Sequence, residues 1–274
     1  MLDLMYITNK PDIALIAQNA GVNRIFVDME YIGKYERQGG MDTVQNHHTV
    51  KDVENLRKVL NKSQLLVRVN PIHKNSENEI NAVLEAGADI IMLPMWHTAE
   101  DVEKFIHFIG GRAKTMLLLE NADAVKNLDK VLKLGGIDEI HIGLNDLHLS
   151  LGRHFLFELL ADSTVEEITK KIKSAGIRFG FGGFGRIGEG LLPAEYIVAE
   201  HYRLGSSIAI LSRSFCDLSK TNDLKVIDDV FQSGMKKLRD YEFYLQGCDR
   251  DFLNETHLKL QSRVNYIVRE IKNV

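Results

Sequence analysis

Eight short apolar runs, each followed by a helical pattern, lie between Leu4 and Leu211 of this 274-residue chain. They restrict its fold more than any other feature. The runs are Leu4–Thr8, Arg24–Asp28, Gln64–Val69, Asp89–Pro94, Thr115–Glu120, Glu139–Gly143, Ile177–Phe181 and Ser207–Leu211. Most are continuous rather than alternating in polarity, the pattern of parallel strands buried on both faces. Helical patterns fill the gaps: Pro11–Ala20, Val50–Leu60, Glu77–Ala86, Ala99–Phe108, the stripe Val125, Leu128, Val131 and Leu132, then Val165–Ala175 and Ala194–Leu204. Pro11 sits in a first turn, where a missing N–H costs nothing. Thr98 and Asp101 form a Thr-x-x-Asp start signal, and Gly21, Gly87 and Gly176 stop helices.

Eight strand–helix units predict an α/β chain closed into a (β/α)8 TIM barrel; a doubly wound open sheet is the alternative. Beyond Leu211 the periodicity is purely helical, over Asp223–Gln246 and Asp249–Asn273. The expected organisation is a barrel over residues 1–221 and extra C-terminal helices over 222–274, one structural domain overall. The helices would pack on the barrel or on a second subunit, and a homo-oligomer is expected.

The balance of charge excludes some functions. The formal net charge is −4 and the isoelectric point near 6.2, so no basic surface for nucleic acid is implied. The apolar runs are far shorter than a membrane span, and the N-terminus has no basic region of a signal peptide. Cys216 and Cys248 show no CxxC or zinc spacing. A reduced pair in a cytoplasmic protein is expected, with neither nucleic acid nor membrane as partner.

In a barrel, chemistry gathers at the C-terminal ends of the strands. Those ends read Asp28-Met-Glu30-Tyr31, Arg68-Val-Asn-Pro71, Pro94-Met-Trp-His97, Glu120, and Asn145-Asp146. Glu120 and Asp146 follow two successive strands, which as parallel neighbours would lie roughly 4.8 Å apart. Two hard oxygen ligands suit a divalent cation such as Mg²⁺, with water and substrate completing its shell; the bland alternative is two solvated loop acids. Arg68 could grip a carboxylate in bidentate fashion, or pair structurally with Asp28 or Glu30. A 2-oxo acid chelated by the metal beside Arg68 would have its developing enolate charge stabilised there. Gly143–His148 should open a short helix whose N–H groups seat a substrate carboxylate.

In order and spacing, several segments together resemble one family. They are Phe26-Val-Asp-Met-Glu30, Leu66-Val-Arg-Val-Asn-Pro71, Ala86-Gly-Ala-Asp-Ile-Ile-Met-Leu-Pro94, Leu118-Leu-Glu-Asn-Ala-Asp-Ala-Val-Lys-Asn-Leu128, Gly136-Ile-Asp-Glu-Ile-His-Ile-Gly143 and Asn145-Asp-Leu-His-Leu-Ser-Leu-Gly152. The chain resembles the HpcH/HpaI aldolase and citrate lyase β-subunit superfamily, of phosphoenolpyruvate/pyruvate-binding barrel type. The resemblance implies a class II, Mg²⁺- or Mn²⁺-dependent C–C lyase or aldolase working through a pyruvate-type enolate. Its partners would be a 2-oxo acid and an aldehyde or acyl group. Glu120 and Asp146 match the family's metal ligands, Arg68 its substrate arginine, and the backbone at Asn145 and Asp146 its carboxylate seat. Asp28, Glu30 and Pro94 complete the expected substrate-binding set.

Two departures matter. The family's aldolases read Glu-His after strand two, whereas this chain reads Glu30-Tyr31. Tyrosine, with an ordinary pKa near 10, is a poor base at neutral pH. The base is therefore left among Tyr31, His47, His48 and a metal-bound water, with exposed loop histidines the alternative for the last two residues. The loop before strand five is also short, Gly110–Lys114. A condensing enzyme using acyl-CoA or phosphoenolpyruvate, or a 2-oxo acid binding protein without turnover, are the other functions compatible with these residues.

Further signals carry less weight. Gly183-Phe-Gly-Arg-Ile-Gly188 fits GxGxxG but follows the seventh strand, not the first strand of a βαβ unit; a loop with Arg186 near an anionic group is the better expectation. The loop Gly33–Thr49 is long enough for a lid. His97 and His148 are expected to be polar loop residues.

Overall fold

The computed structural model describes residues 1–33 and 48–273. Among these, eight parallel strands close into a barrel in the order of the sequence. They are β1 (Asp3–Ile7), β2 (Arg24–Asp28), β3 (Gln64–Arg68), β4 (Ile90–Leu93), β5 (Lys114–Leu119), β6 (Glu139–Ile142), β7 (Arg178–Phe184) and β8 (Ile208–Leu211). Pairing of β1 with β8, Asp3 opposite Ile208 through Tyr6 opposite Leu211, closes the ring and rules out the open sheet.

Helices α1 (Pro11–Asn19), α2 (Val50–Val59), α3 (Ser76–Glu85), α4 (Ala99–Ile109), α5 (Ala122–Val131), α6 (Leu144–Ser150), α7 (Glu158–Ala161), α8 (Thr164–Ser174) and α9 (Ala194–Leu204) surround it. The Thr98–Asp101 signal forms a complete capping box at the start of α4, and Thr49–Asp52 forms another at the start of α2. None of these helices is long and apolar enough to cross a membrane, nor is any other among the described residues.

The continuous apolar runs are explained by two cores. One, containing Ile25, Val67, Ile91, Leu117 and Ile140, fills the space between strands and helices. The other, Met5, Phe26, Leu66, Ile90, Met92, Met116, Leu118 and Ile208, fills the barrel. Below it, the first residues of four strands form a charged floor. Arg24, almost fully buried, reaches Glu139 (Nη2 to Oε1, 2.7 Å) and Asp3, and Arg178 bridges the same two acids. This floor commits the N-terminal end to structure and leaves the C-terminal end for chemistry.

β7 runs past Phe181 to Phe184, so Gly183 is a strand residue rather than a loop residue. The cause is an irregularity in its pairing with β8 between Gly180 and Gly183. A Cβ on Gly180 would lie 2.1 Å from the Ile208 carbonyl oxygen, an approach only glycine allows. The short α7 is a single turn, too short to leave a periodic pattern in the sequence.

The last two helices are α10 (Leu224–Gln246) and α11 (Arg250–Lys272). α10 packs on α1, and α11 on α9 and α7. Buried Glu242 of α10 accepts hydrogen bonds from the Leu2 N–H (2.6 Å) and the Tyr202 hydroxyl (3.1 Å), tying the helix to the start of β1.

Candidate active site

Glu120 follows directly on β5, and its partner strand β6 leads through Gly143 into α6. The Glu120 side chain is only 2% exposed. One carboxylate oxygen accepts the Met95 N–H at 3.0 Å. Gly143 makes room for the other: a Cβ there would stand 3.0 Å from the Glu120 Cβ and 3.2 Å from Oε2. Burial, with the nearby carboxylates of Glu30 and Asp146, pushes the Glu120 pKa up to about 8 against the opposing effect of Arg68. These four side chains therefore share one electrostatic neighbourhood, at the ends of β2, β3, β5 and β6. Asp146 lies in the first turn of α6, half-exposed, where the positive end of the helix favours an acid.

Arg68 ends β3 opposite Asp28, the last residue of β2. Its Nε donates to Asp28 Oδ1 at 2.8 Å and its Nη1 stands 3.2 Å from Glu30 Oε2. Burial works against the guanidinium charge, but Asp28 and Glu30 more than offset it and hold the proton more firmly than usual. Both acids are nearly inaccessible to solvent. Their structural pairing with Arg68, one of the two readings of the sequence, is realised, and it holds the guanidinium from two sides.

The loop leaving β2 is fastened from β3. Asn70 Oδ1 accepts both the Tyr31 and Ile32 N–H groups at 3.0 Å, and Asn70 Nδ2 donates to Glu79 Oε1 at 2.7 Å. Tyr31 itself is 64% exposed, so its ring stands at the rim. His48 returns to the site from the far end of the same loop. It precedes Thr49, the N-cap of α2, and its Nδ1 accepts the Asp28 N–H at 3.0 Å. An accepting Nδ1 places the proton of the neutral ring on Nε2, so His48 in this tautomer is a donor, not a base. His47, and the loop residues 34–47 expected to act as a lid, lie outside the described residues.

The remaining expected residues are placed as follows. Pro94 is buried at the end of β4 and turns the chain into Met95, which takes an uncommon positive φ of 46°. Asn145 is exposed in the first turn of α6, where the helix supplies no acceptor for its N–H or that of Asp146. His97 pairs with Asp123 (3.1 Å), His148 Nδ1 lies 3.1 Å from the Leu144 carbonyl, and Arg186 pairs with Glu189. Met95, Asn70 and Glu79 carry roles that sequence reasoning did not assign. Only Asn70, two residues beyond β3 and before Pro71, had a local signal.

The donor set around Glu120 is all carboxylate oxygen, and among the described residues no cluster of three or more ligating side chains forms. Two carboxylates that repel one another, one of them buried, fit a divalent cation that keeps water and substrate oxygens in its shell.

A family model described as HpcH/HpaI aldolase/citrate lyase matches residues 4–180, a span that holds Arg68, Glu120 and Asp146. The chain belongs to the HpcH/HpaI aldolase/citrate lyase family. A hydroxypyruvate/pyruvate aldolase of Rhizorhabdus wittichii is 27% identical, over 41% of this chain and 59% of the relative. The matched stretch thus spans about three-fifths of that curated protein. The HpcH/HpaI aldolase of Desulfitobacterium hafniense DCB-2 shares the fold with a TM-score of 0.60 and 16% identity, covering 83% of this chain and 93% of that one. A family protein of Burkholderia cenocepacia J2315 gives 0.61 and 15% (82% and 93% covered), and the citrate synthase SbnG 0.59 and 16% (83% and 94%). At these identities the likeness speaks to the barrel alone.

Proposed function

We propose that this HpcH/HpaI family member is a metal-dependent C–C lyase or aldolase that converts a pyruvate-like 2-oxo acid to its enolate and joins it to, or releases it from, an electrophile. The observation that carries the reading is buried Glu120 set among Asp146, Glu30 and Arg68 with its pKa driven up to about 8. Such a carboxylate is costly unless a cation stands against it. Glu120 and Asp146 would hold Mg²⁺ or Mn²⁺, which when bound acts as a Lewis acid toward the 2-oxo acid.

The chain's own residues supply the rest. The N–H groups of Asn145 and Asp146 orient the substrate carboxylate. Arg68, clamped by Asp28 and Glu30, sets its fixed charge beside the enolate oxygen as negative charge develops there. Because the clamp is already formed, little reorganisation accompanies that step. His48, whose Nδ1 accepts the Asp28 N–H, would act through the proton on Nε2 as a donor. Asn70 holds the loop that carries Glu30 and Tyr31. The apolar Phe243, Leu258 and Tyr266, exposed on α10 and α11, support assembly as a homo-oligomer, which light scattering on the purified protein tests.

The function is tested by incubating the protein with Mg²⁺ or Mn²⁺ and pyruvate in D₂O and following the methyl protons by NMR. Exchange that is lost in Glu120→Ala supports the enolate. A wild-type protein that exchanges nothing with either metal contradicts it.

A further inference from the structure

A buried histidine grips the irregular part of β7 from each side. Gly180 pairs with Ile208 and Gly183 with Ile210, so β7 carries one residue more than β8 over this stretch, a β-bulge. Within it Gly182 takes a φ of 52°. Phe181 and Phe184 would face opposite sides of a regular strand. Across the bulge both meet the ring of His201 on α9, Phe181 stacked with centroids 3.9 Å apart and Phe184 edge-on at 5.9 Å. On the barrel side stands His141 of β6, which by strand alternation shares a face with the floor residue Glu139. His141 is fully buried, and its Nε2 lies 3.0 Å from the Gly182 carbonyl oxygen. A carbonyl only accepts, so Nε2 carries the ring proton. Burial keeps the ring neutral, pushing its pKa down to about 4, and Nδ1 is a bare acceptor with no partner among the described residues. The ring's one donor is therefore spent on a backbone carbonyl inside the bulge.

Gly182 is also where β7 meets α6. A Cβ there would lie 2.7 Å from Leu144 Cδ1. Leu144, 1% exposed, is the first residue of α6, next to Asn145 and just ahead of Asp146. We propose that His141 is a positioning residue: by holding the Gly182 carbonyl it fixes the bulge against which Leu144 rests, and so sets the first turn of α6, with the Asp146 carboxylate and the N–H groups of Asn145 and Asp146, beside Glu120. The inference rests on the metal and enolate reading above.

Two observations favour this role over plain packing. The barrel interior around His141 is filled by apolar side chains, among them Met116, Leu118 and Ile208, so filling space alone does not call for a donor there. Gly143, one residue before Leu144, already abuts Glu120, where a Cβ would stand 3.0 Å from the Glu120 Cβ. A shift of α6 therefore alters the placement of Asp146 relative to Glu120 instead of being taken up between them.

The test compares four variants of the full chain. His141→Leu removes the donor and keeps an apolar side chain. His141→Asn, whose amide ends near the place of Nδ1, also lacks it and serves if the leucine variant does not fold. His141→Gln restores an N–H at about the reach of Nε2. Leu260→Ala, on the buried face of α11, is the control for destabilisation alone. His141→Leu and His141→Asn should weaken Mn²⁺ binding, followed by electron paramagnetic resonance, at least tenfold. They should raise the KM of pyruvate for methyl exchange at least tenfold, His141→Gln should recover most of both, and Leu260→Ala should change neither. In the metal-free protein the Leu147 amide, which closes the first turn of α6 on the Gly143 carbonyl, should exchange with solvent at least tenfold faster in His141→Leu than in Leu260→Ala. Wild-type metal binding, KM and amide exchange in both donorless variants overturn this inference alone, as does a loss that Leu260→Ala reproduces or that His141→Gln leaves untouched. A wild type that binds no Mn²⁺ and exchanges no pyruvate protons overturns the enolate reading and this inference with it.

Discussion

The imidazole of His48 and the backbone of Asp28 are joined by a 3.0 Å hydrogen bond in which His48 Nδ1 is the acceptor. The bond spans twenty residues of sequence and returns the end of the β2–α2 loop to the carboxylate that holds Arg68. With Nδ1 occupied, the neutral ring offers only an N–H at Nε2. His48→Ala should therefore slow the C–C bond step by about 10²-fold, the usual size of a lost proton donor, and slow pyruvate methyl exchange much less. Comparing the two rates in one preparation checks this; equal losses would make His48 the enolising base.

Glu120 gives the metal-free protein a definite pH dependence. Its folded pKa of about 8 lies above the ordinary carboxylate value of 4.5, so between those values the folded state binds the extra proton. Stability should be greatest near pH 4.5 and below as far as this group is concerned, and should fall as pH rises toward 8, by a few kcal/mol in order of magnitude. Glu120→Gln should flatten that slope and raise the thermal midpoint at pH 8. Added Mg²⁺ should stabilise the wild type most at the alkaline end. Thermal melts across pH 5–8.5 with and without Mg²⁺ measure all three.

Arg68 is bound to two buried acids, and the consequences differ with the replacement. Arg68→Ala leaves Asp28 and Glu30 without their cation and should cost about 3–5 kcal/mol of stability, measured by urea unfolding. Arg68→Lys keeps a charge but loses the fork that reaches both acids at 2.8 and 3.2 Å. It should unfold within about 2 kcal/mol of wild type yet lose about 10²-fold in enolate formation.

Asn70 fastens the loop after β2 by accepting the Tyr31 and Ile32 N–H groups at its Oδ1. Asn70→Ala should destabilise by about 1–3 kcal/mol through the unsatisfied donors and raise KM for the aldehyde more than for pyruvate. Asn70→Asp keeps the accepting oxygen but replaces the donor to Glu79 by a second carboxylate, so it should recover part of the loss only at acidic pH, where that pair holds a proton. Steady-state kinetics with each substrate varied in turn separates this from a purely structural effect.

The barrel was legible because each strand is buried on two faces and each helix on one, so periodicity alternates visibly. Val50–Val59 and Ala194–Leu204 fall almost where their patterns place them. The position of Glu120 could be read for a related reason: an acid directly after an apolar strand stands at that strand's C-terminal end, whereas Asp146 falls one step further on, in the first turn of α6. What was hidden depends on distance in sequence or on backbone geometry. The Asp28–His48 bond depends on a long loop returning. The Asn70–Glu79 clamp joins a strand end to the next helix. The positive φ of Met95 has no signature, because Met rarely adopts it. The extension of β7 through Gly183 follows from contact with Ile208 in a neighbouring strand.

The proposed chemistry requires Glu120 and Asp146 to hold a divalent cation that engages a 2-oxo acid. The most direct measurement is a Mn²⁺ titration followed by electron paramagnetic resonance, with and without pyruvate. One Mn²⁺ per chain is expected, bound more tightly with pyruvate present and lost in both Glu120→Ala and Asp146→Ala. Binding that is indifferent to pyruvate and survives both substitutions would contradict it.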